Sequence, residues 1–265
     1  TQLTKGQWDV ASIAAVDQKA KLIYYLSNES NTLNRDLYVI NFDGKKKKLL
    51  TSGTGWNDVS FSSNAKYYRC TYSDIQTPPI YTIHKADGKQ LRVFEDNAAL
   101  KKRMEDYGFS KKELFSFTSD QGIQLNGWML KPMDFDATKK YPVLMYVYGG
   151  PCSQEVDNSY SRARDFAWYQ LLAQHGYIVV CVDGRGTNAR GDEFRKCVYK
   201  NMGHYEAIDQ ISTANYLKTL YYVDKNRIGI WGWSFGGYLS ALSAFKSGKT
   251  FKMAISVAPV TNWRY

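Results

Sequence analysis

Apolar and polar residues follow two rhythms along this chain, and the change falls near Asp96. Before it, short runs alternate, as half-buried strands do. Asp17-Gln-Lys-Ala-Lys-Leu-Ile-Tyr-Tyr25 is echoed by Ser62-Ser-Asn-Ala-Lys-Tyr-Tyr68. Leu37-Tyr-Val-Ile-Asn-Phe-Asp-Gly-Lys45 is echoed by Ile80-Tyr-Thr-Ile-His-Lys-Ala-Asp-Gly-Lys89. A period in the low-to-mid forties, made of short strands joined by Asp-Gly turns, is the spacing of β-propeller blades. About two blades fit into residues 1–96. Two cannot close a ring, and Thr1 begins in mid-pattern, so the expectation is a piece of a longer chain. His84 falls within a strand of the second repeat and reads as structural.

After Val93-Phe-Glu-Asp-Asn-Ala-Ala-Leu100 and a charged, helix-compatible stretch from Lys101 to Tyr107, residues Glu113–Thr118 and Ile123–Leu130 alternate about a turn. That is a hairpin signature, expected to form the antiparallel edge of the sheet that follows. From Tyr141 the strands become continuously apolar: Pro142–Tyr148, Tyr177–Val182, Ile228–Trp231 and Phe251–Ala258. Helix-length segments separate them, from Arg164 to Gln174, from Tyr205 to Leu220, and from Gly237 to Phe245. Apolar strands alternating with helices predict a mostly parallel sheet covered on both faces, with function gathered at the carboxyl ends of the strands. The expected domains are 1–96, the last part of a propeller, and 97–265, an α/β domain.

Composition adds limits more than direction. In 265 residues, 44% apolar and 15% aromatic side chains suffice for a core and exclude a disordered chain. The net charge of +10 raises the question of a polyanionic partner. Much of the excess lies in Lys45 to Lys48 after the Asp43-Gly44 turn, which reads as a solvated hairpin tip, so neither nucleic acid nor membrane contact is expected. The four cysteines have no metal-ligand spacing, and no metal or other cofactor is expected.

The chemistry is in Gly232-Trp-Ser-Phe-Gly236. Strand, G-x-S-x-G and helix in that order are the setting of a nucleophile elbow, with Ser234 as nucleophile and the Phe235 N–H aimed at the carbonyl oxygen under attack. A serine needs a base, and in this arrangement the acid and then the histidine follow the serine along the chain. No Asp, Glu or His follows Ser234 here, so both are expected beyond Tyr265. His204 and Asp209 have the composition of a catalytic pair but come too early in that order. Asp183 and Arg185, in Asp183-Gly-Arg-Gly186, read as residues that pin a turn. Tyr148 stands either in the core or with its phenol at the site as a second oxyanion donor.

Gly232-Trp-Ser-Phe-Gly-Gly-Tyr238, Tyr148-Gly-Gly-Pro-Cys-Ser-Gln154, Asp183-Gly-Arg-Gly186 and Val257-Ala-Pro-Val-Thr-Asn-Trp263, with Leu91-Arg-Val-Phe-Glu-Asp-Asn97 upstream, together resemble the prolyl oligopeptidase family of serine peptidases, in its dipeptidyl peptidase branch. The resemblance implies an α/β-hydrolase domain behind an eight-bladed propeller, and release of Xaa-Pro or Xaa-Ala dipeptides from peptide N-termini. It implies that Ser234 is acylated, that Phe235 N–H and the Tyr148 hydroxyl hold the oxyanion, and that Val260, Trp263 and the Phe235 ring wall a proline pocket. Phe235 stands where the family usually has Tyr. A secreted or periplasmic location and a homodimer are further implications. The alternatives are another propeller-capped hydrolase, such as an oligopeptidase or acylaminoacyl peptidase, and a non-catalytic binding protein on the same fold.

Overall fold

The computed structural model describes residues 2–160 and 165–264. Thr1 and Arg164, on which two of the expectations above fall, and the terminal Tyr265 lie outside them. The chain forms two compact units: one of Thr1–Tyr107 with Asp157–Arg162 and Ala189–Gly191, the other of Gly108–Val156, Ala163–Asn188 and Asp192–Tyr265.

The first unit contains the two blades. Strands β1 (Val10–Asp17), β2 (Leu22–Ser27), β3 (Asp36–Asn41) and β4 (Lys48–Leu49) form one antiparallel sheet. β5 (Trp56–Phe61), β6 (Tyr67–Asp74), β7 (Thr77–Lys85) and β8 (Gln90–Glu95) form the other. The sequence echo is a structural one. Gly44 and Gly88 occupy equivalent turns at φ +76° and +97°, a region that penalises any Cβ. Before each, an aspartate turns its carboxylate back onto the chain: Asp43 accepts the Lys45 N–H at 3.0 Å, and Asp87 accepts that of Lys89 at 2.9 Å. Tyr24, Leu26 and Leu37 of the first blade pack with Tyr68 and Cys70 of the second in one buried cluster. His84 is structural, as expected. Its ring stacks on Tyr68 at 4.9 Å, and its nitrogens meet the Thr82 hydroxyl at 2.8 Å and the Gly88 carbonyl at 3.1 Å. Helix α1 (Ala98–Asp106) begins earlier than its charged stretch suggests, and packs against β7. Asn97, just before it, donates to the Pro79 carbonyl at 2.7 Å, so the helix goes with the blades.

The second unit is an α/β sheet in the order β14-β13-β11-β12-β10-β9. Its strands are β9 (Lys112–Thr118), β10 (Gln124–Leu130), β11 (Tyr141–Tyr146), β12 (Ile178–Asp183), β13 (Val223–Trp233) and β14 (Met253–Val257). Four run parallel, and the β9–β10 hairpin forms the antiparallel edge. Its helices are α2 (Phe166–Gln174), α3 (Gly191–Lys196), α4 (His204–Thr219) and α5 (Phe235–Lys246). Alternate residues of each strand separate the two layers. Val143, Met145, Ile228 and Ile230 join Ala214 and Leu217 of α4 and Leu239 of α5 in the main core. Tyr146, Trp128 and Trp231 face Tyr169 of α2 with ring centroids 5.7 to 6.1 Å apart. Both faces are covered as expected over the central strands. On β14, the last strand in the sheet order, Met253 and Ile255 are exposed in this chain.

Strand β13 is longer than its apolar run. Asp224 folds onto Asn226 and Arg227 there, and this polar patch hides the strand's start from any hydrophobic pattern. The same strand carries the chain straight to Ser234.

Candidate active site

Three glycines shape the turn between β13 and α5. A Cβ on Gly232 would lie 2.2 Å from the Val147 carbonyl oxygen, and one on Gly236 would lie 2.0 Å from the same atom. A Cβ on Gly237 would meet the Val257 carbonyl oxygen at 2.6 Å. Backbone from β11 and β14 thus closes on the elbow from two sides, at separations that no other residue permits. Ser234, between them, is at φ 57° and ψ −117°, a strained conformation that persists only where its surroundings hold it. They do so through its own backbone: its N–H donates to the Val257 carbonyl at 2.9 Å, and its carbonyl accepts the Tyr238 N–H at 3.0 Å. The side chain is left half-buried, between a buried strand and a buried helix.

Phe235 is the first residue of α5, and the first N–H groups of a helix have no partner within it. Its amide is therefore available to an oxygen outside the helix, at the positive end of the helix dipole. Deeper in α5, the hydroxyl of Ser240 returns to the Gly236 carbonyl and that of Ser256 to the Gly237 carbonyl, both at 2.7 Å. These bonds fasten the first turn of the helix to its own next turn and to β14.

Tyr148 comes to the same place from β11. Its Cα lies 3.0 Å from where a Cβ on Gly236 would be, so strand end and elbow touch. Its half-buried ring lies over Gly150, whose missing side chain makes the room: a Cβ there would sit 2.7 Å from the ring. The loop beyond is held from β12. Asp183 accepts the N–H of Glu155 at 2.9 Å and of Val156 at 2.8 Å, and the Ser153 hydroxyl donates to the Gly150 carbonyl at 2.7 Å.

On the other side of the elbow, rings collect. Phe235, Tyr238 and Trp263 stand with centroids 5.4 to 5.6 Å apart, Tyr238 edge-on to both of the others. Trp263 remains about half exposed, and Val260 is half-buried on the same stretch after β14. The site-residue expectations thus fall in one neighbourhood, at the carboxyl ends of β11, β13 and β14.

Arg185 and Asp209 are fixed elsewhere. Asp209 accepts the Arg185 backbone N–H at 2.7 Å and its guanidinium through both oxygens, and the guanidinium also donates to Gln121 at 2.7 Å and covers the Tyr205 ring. Asp209 is fully buried, so this pair ties the β12–α3 loop to α4 and leaves no carboxylate for a histidine. His204 is exposed against Tyr205 and the two make no catalytic pair. Glu206, also buried, accepts the Gly203 N–H at 2.9 Å, and burial raises its pKa above the usual glutamate range. Its role was not apparent from sequence, since Gly203 hides the ordinary capping-box pattern, which has a side chain at the cap. Tyr238, which the sequence motif includes without assigning it a role, lies one helical turn after Ser234 on the site's side of α5.

Two family models match the chain: the prolyl oligopeptidase family over residues 164–265, and the dipeptidyl peptidase IV N-terminal region over residues 1–79. Dipeptidyl-aminopeptidase B of Aspergillus niger is 39% identical over 269 aligned residues, which take in 99% of this chain and 29% of that protein. The crystal structure of Porphyromonas gingivalis dipeptidyl peptidase 4 superposes with a TM-score of 0.93 at 44% identity, over 99% of this chain and 37% of that one. The chain thus spans about a third of the length of the proteins it matches. Paired blades, a parallel sheet and an elbow serine in one chain agree with both matched models, and the chain belongs to the prolyl oligopeptidase family.

Proposed function

We propose that the protein carrying this chain is a serine dipeptidyl peptidase. The observation that carries the reading is the strained elbow at Ser234, with Tyr148 against one side of it and Phe235 opening the helix on the other. The names of the matched relatives, a dipeptidyl-aminopeptidase and a dipeptidyl peptidase, support this choice of substrate class.

In this reading the Ser234 hydroxyl oxygen attacks the carbonyl carbon of the scissile bond and gives its proton to an imidazole base. The oxyanion that forms receives hydrogen bonds from the Phe235 N–H and the Tyr148 hydroxyl. Collapse breaks the C–N bond, the departing amine takes the proton from the imidazolium, and the dipeptide stays on Ser234 as an ester. Water, deprotonated by the same base, then releases it. His84 is committed to its blade, so the reading requires another imidazole, oriented by a carboxylate, to reach Ser234. Phe235, Trp263 and Val260 form the apolar wall for a small ring, which favours proline at the second position of the peptide. A secreted or periplasmic location and a homodimer belong to the same reading.

The test is hydrolysis by the natively expressed protein of Xaa-Pro amides with free and with blocked N-termini. Cleavage of the free forms alone supports the reading. Equal cleavage of blocked substrates would overturn the dipeptidyl part, leaving an oligopeptidase.

A further inference from the structure

The charged turns of the two blades were absorbed neither by the fold nor by the proposed activity. The β1–β2 turn carries Lys19 and Lys21, the β3–β4 turn Lys45 and Lys46, the β5–β6 turn Lys66 and the β7–β8 turn Lys89, all of them exposed. In antiparallel sheets, alternate turns lie at the same end, so these four share one rim. Direct contacts join them: the Phe42 N–H donates to the Lys21 carbonyl at 3.0 Å, and that of Ala86 to the Lys66 carbonyl at 2.9 Å. Lys48 reaches from the first blade to the Asp87 carbonyl of the second at 3.4 Å. The opposite ends of the blades are occupied by returning chain, where Asn158 donates to Asn34 at 3.1 Å and Asp9 accepts the Ala189 N–H at 2.8 Å.

The carboxylates on this rim do not cancel its charge outwardly. Asp17, Asp43 and Asp87 are each turned back to accept a backbone N–H of their own turn, at 2.9 to 3.0 Å. The six exposed lysines of these turns outnumber the three aspartates, so the rim carries a net positive charge. Two aromatic side chains stand among the lysines. Phe42, on the β3–β4 turn, is 41% exposed, and Tyr67, directly after Lys66, is 45% exposed. Exposed rings on or next to lysine-bearing turns suit a surface that is anionic outside and apolar just beneath.

We propose that this rim is a docking surface for an anionic lipid bilayer. Lysines meet the headgroups as hydrated point charges, and Phe42 and Tyr67 enter the interface between them. The four turns contain lysine and no arginine. A sulfated polysaccharide is the poorer fit, because it offers no apolar layer for the exposed Phe42 and Tyr67 rings to enter.

The experiment is co-sedimentation of the natively expressed protein with phosphatidylcholine vesicles, with and without about a third phosphatidylglycerol, in low and high salt. Binding is expected only to the anionic vesicles and is expected to fall steeply with salt. Lys45→Gln with Lys89→Gln, one lysine from each blade, should weaken it roughly 30-fold, from about a fivefold effect per lysine. Phe42→Ser should weaken it further without changing the salt dependence. All three positions are exposed, and an unchanged unfolding midpoint identifies the variants as folded. Equal binding to neutral vesicles, no response to the lysine variants, or retention on immobilised heparin with no vesicle binding would each overturn the proposal. None of these readouts involves peptidase activity.

Discussion

The carbonyl oxygen of Val147 lies where the side chain of any residue other than glycine would begin at Gly236: a Cβ there would meet it at 2.0 Å. Val147 is itself held, since its N–H donates to the Trp231 carbonyl at 2.9 Å across the β11–β13 pair. The close approach is therefore between two pieces of backbone that cannot step aside. Gly236→Ala is expected to destabilise the second unit by about 1–3 kcal/mol or more, the range for overpacking, because no flexible side chain can absorb the clash. Chemical denaturation measures it, and an unchanged midpoint would mean that the elbow is looser than described.

Removing the Tyr148 hydroxyl should separate chemistry from folding. Its ring packs over Gly150, and Tyr148→Phe leaves that packing in place. If the phenol holds the oxyanion, acylation of Ser234 should slow by about 10²–10³-fold, the usual loss for one such donor, with stability unchanged. Stopped-flow acylation with an activated ester measures this. A full rate would return Tyr148 to the core.

The buried pair of Arg185 and Asp209 should tolerate loss of one member poorly. Asp209→Ala leaves a guanidinium buried without its carboxylate and is expected to cost about 3–5 kcal/mol. Replacing both with apolar residues of similar volume should cost much less. A double-mutant cycle in urea decides between a structural tie and a separate role for each residue.

Glu206 should leave a mark on the pH dependence of stability. Burial is the main cause of its raised pKa, with Asp209 adding to it and the Gly203 N–H and Arg185 opposing. The folded state therefore keeps the proton at pH values where the unfolded chain has lost it. Below about pH 4.3, the ordinary glutamate value, both states are protonated and Glu206 costs nothing. As pH rises, the unfolded state is increasingly favoured, until the folded carboxyl also ionises. Glu206→Gln keeps an acceptor for Gly203 and removes the titration. It should gain stability over the parent as pH rises above 4.3, and lose that advantage as pH falls back through it. Paired unfolding curves across this range measure the difference, and a constant one would contradict the assignment.

Much of this was legible before any coordinates, for identifiable reasons. The echo of Tyr38 in Tyr81 revealed two blades because Asp-Gly turns recur only where the turn geometry does. Ser234 stood out because a strand, a tight turn and a helix leave different marks on adjacent residues. What escaped depends on contacts distant in sequence. The order of residues along the chain sets Asp209 aside as a catalytic acid, but only its bond to Arg185, 24 residues away, shows what it does instead. The start of β13 was concealed by Asp224, whose polar turn breaks the apolar run without ending the strand.

If the elbow makes Ser234 a nucleophile, covalent labelling reveals it directly. The natively expressed protein, treated with a fluorophosphonate and digested, should yield one modified peptide, labelled at Ser234, and Ser234→Ala should abolish the label without shifting the unfolding midpoint. A folded protein that takes no label, or takes it at another residue, would show that Ser234 is not the nucleophile.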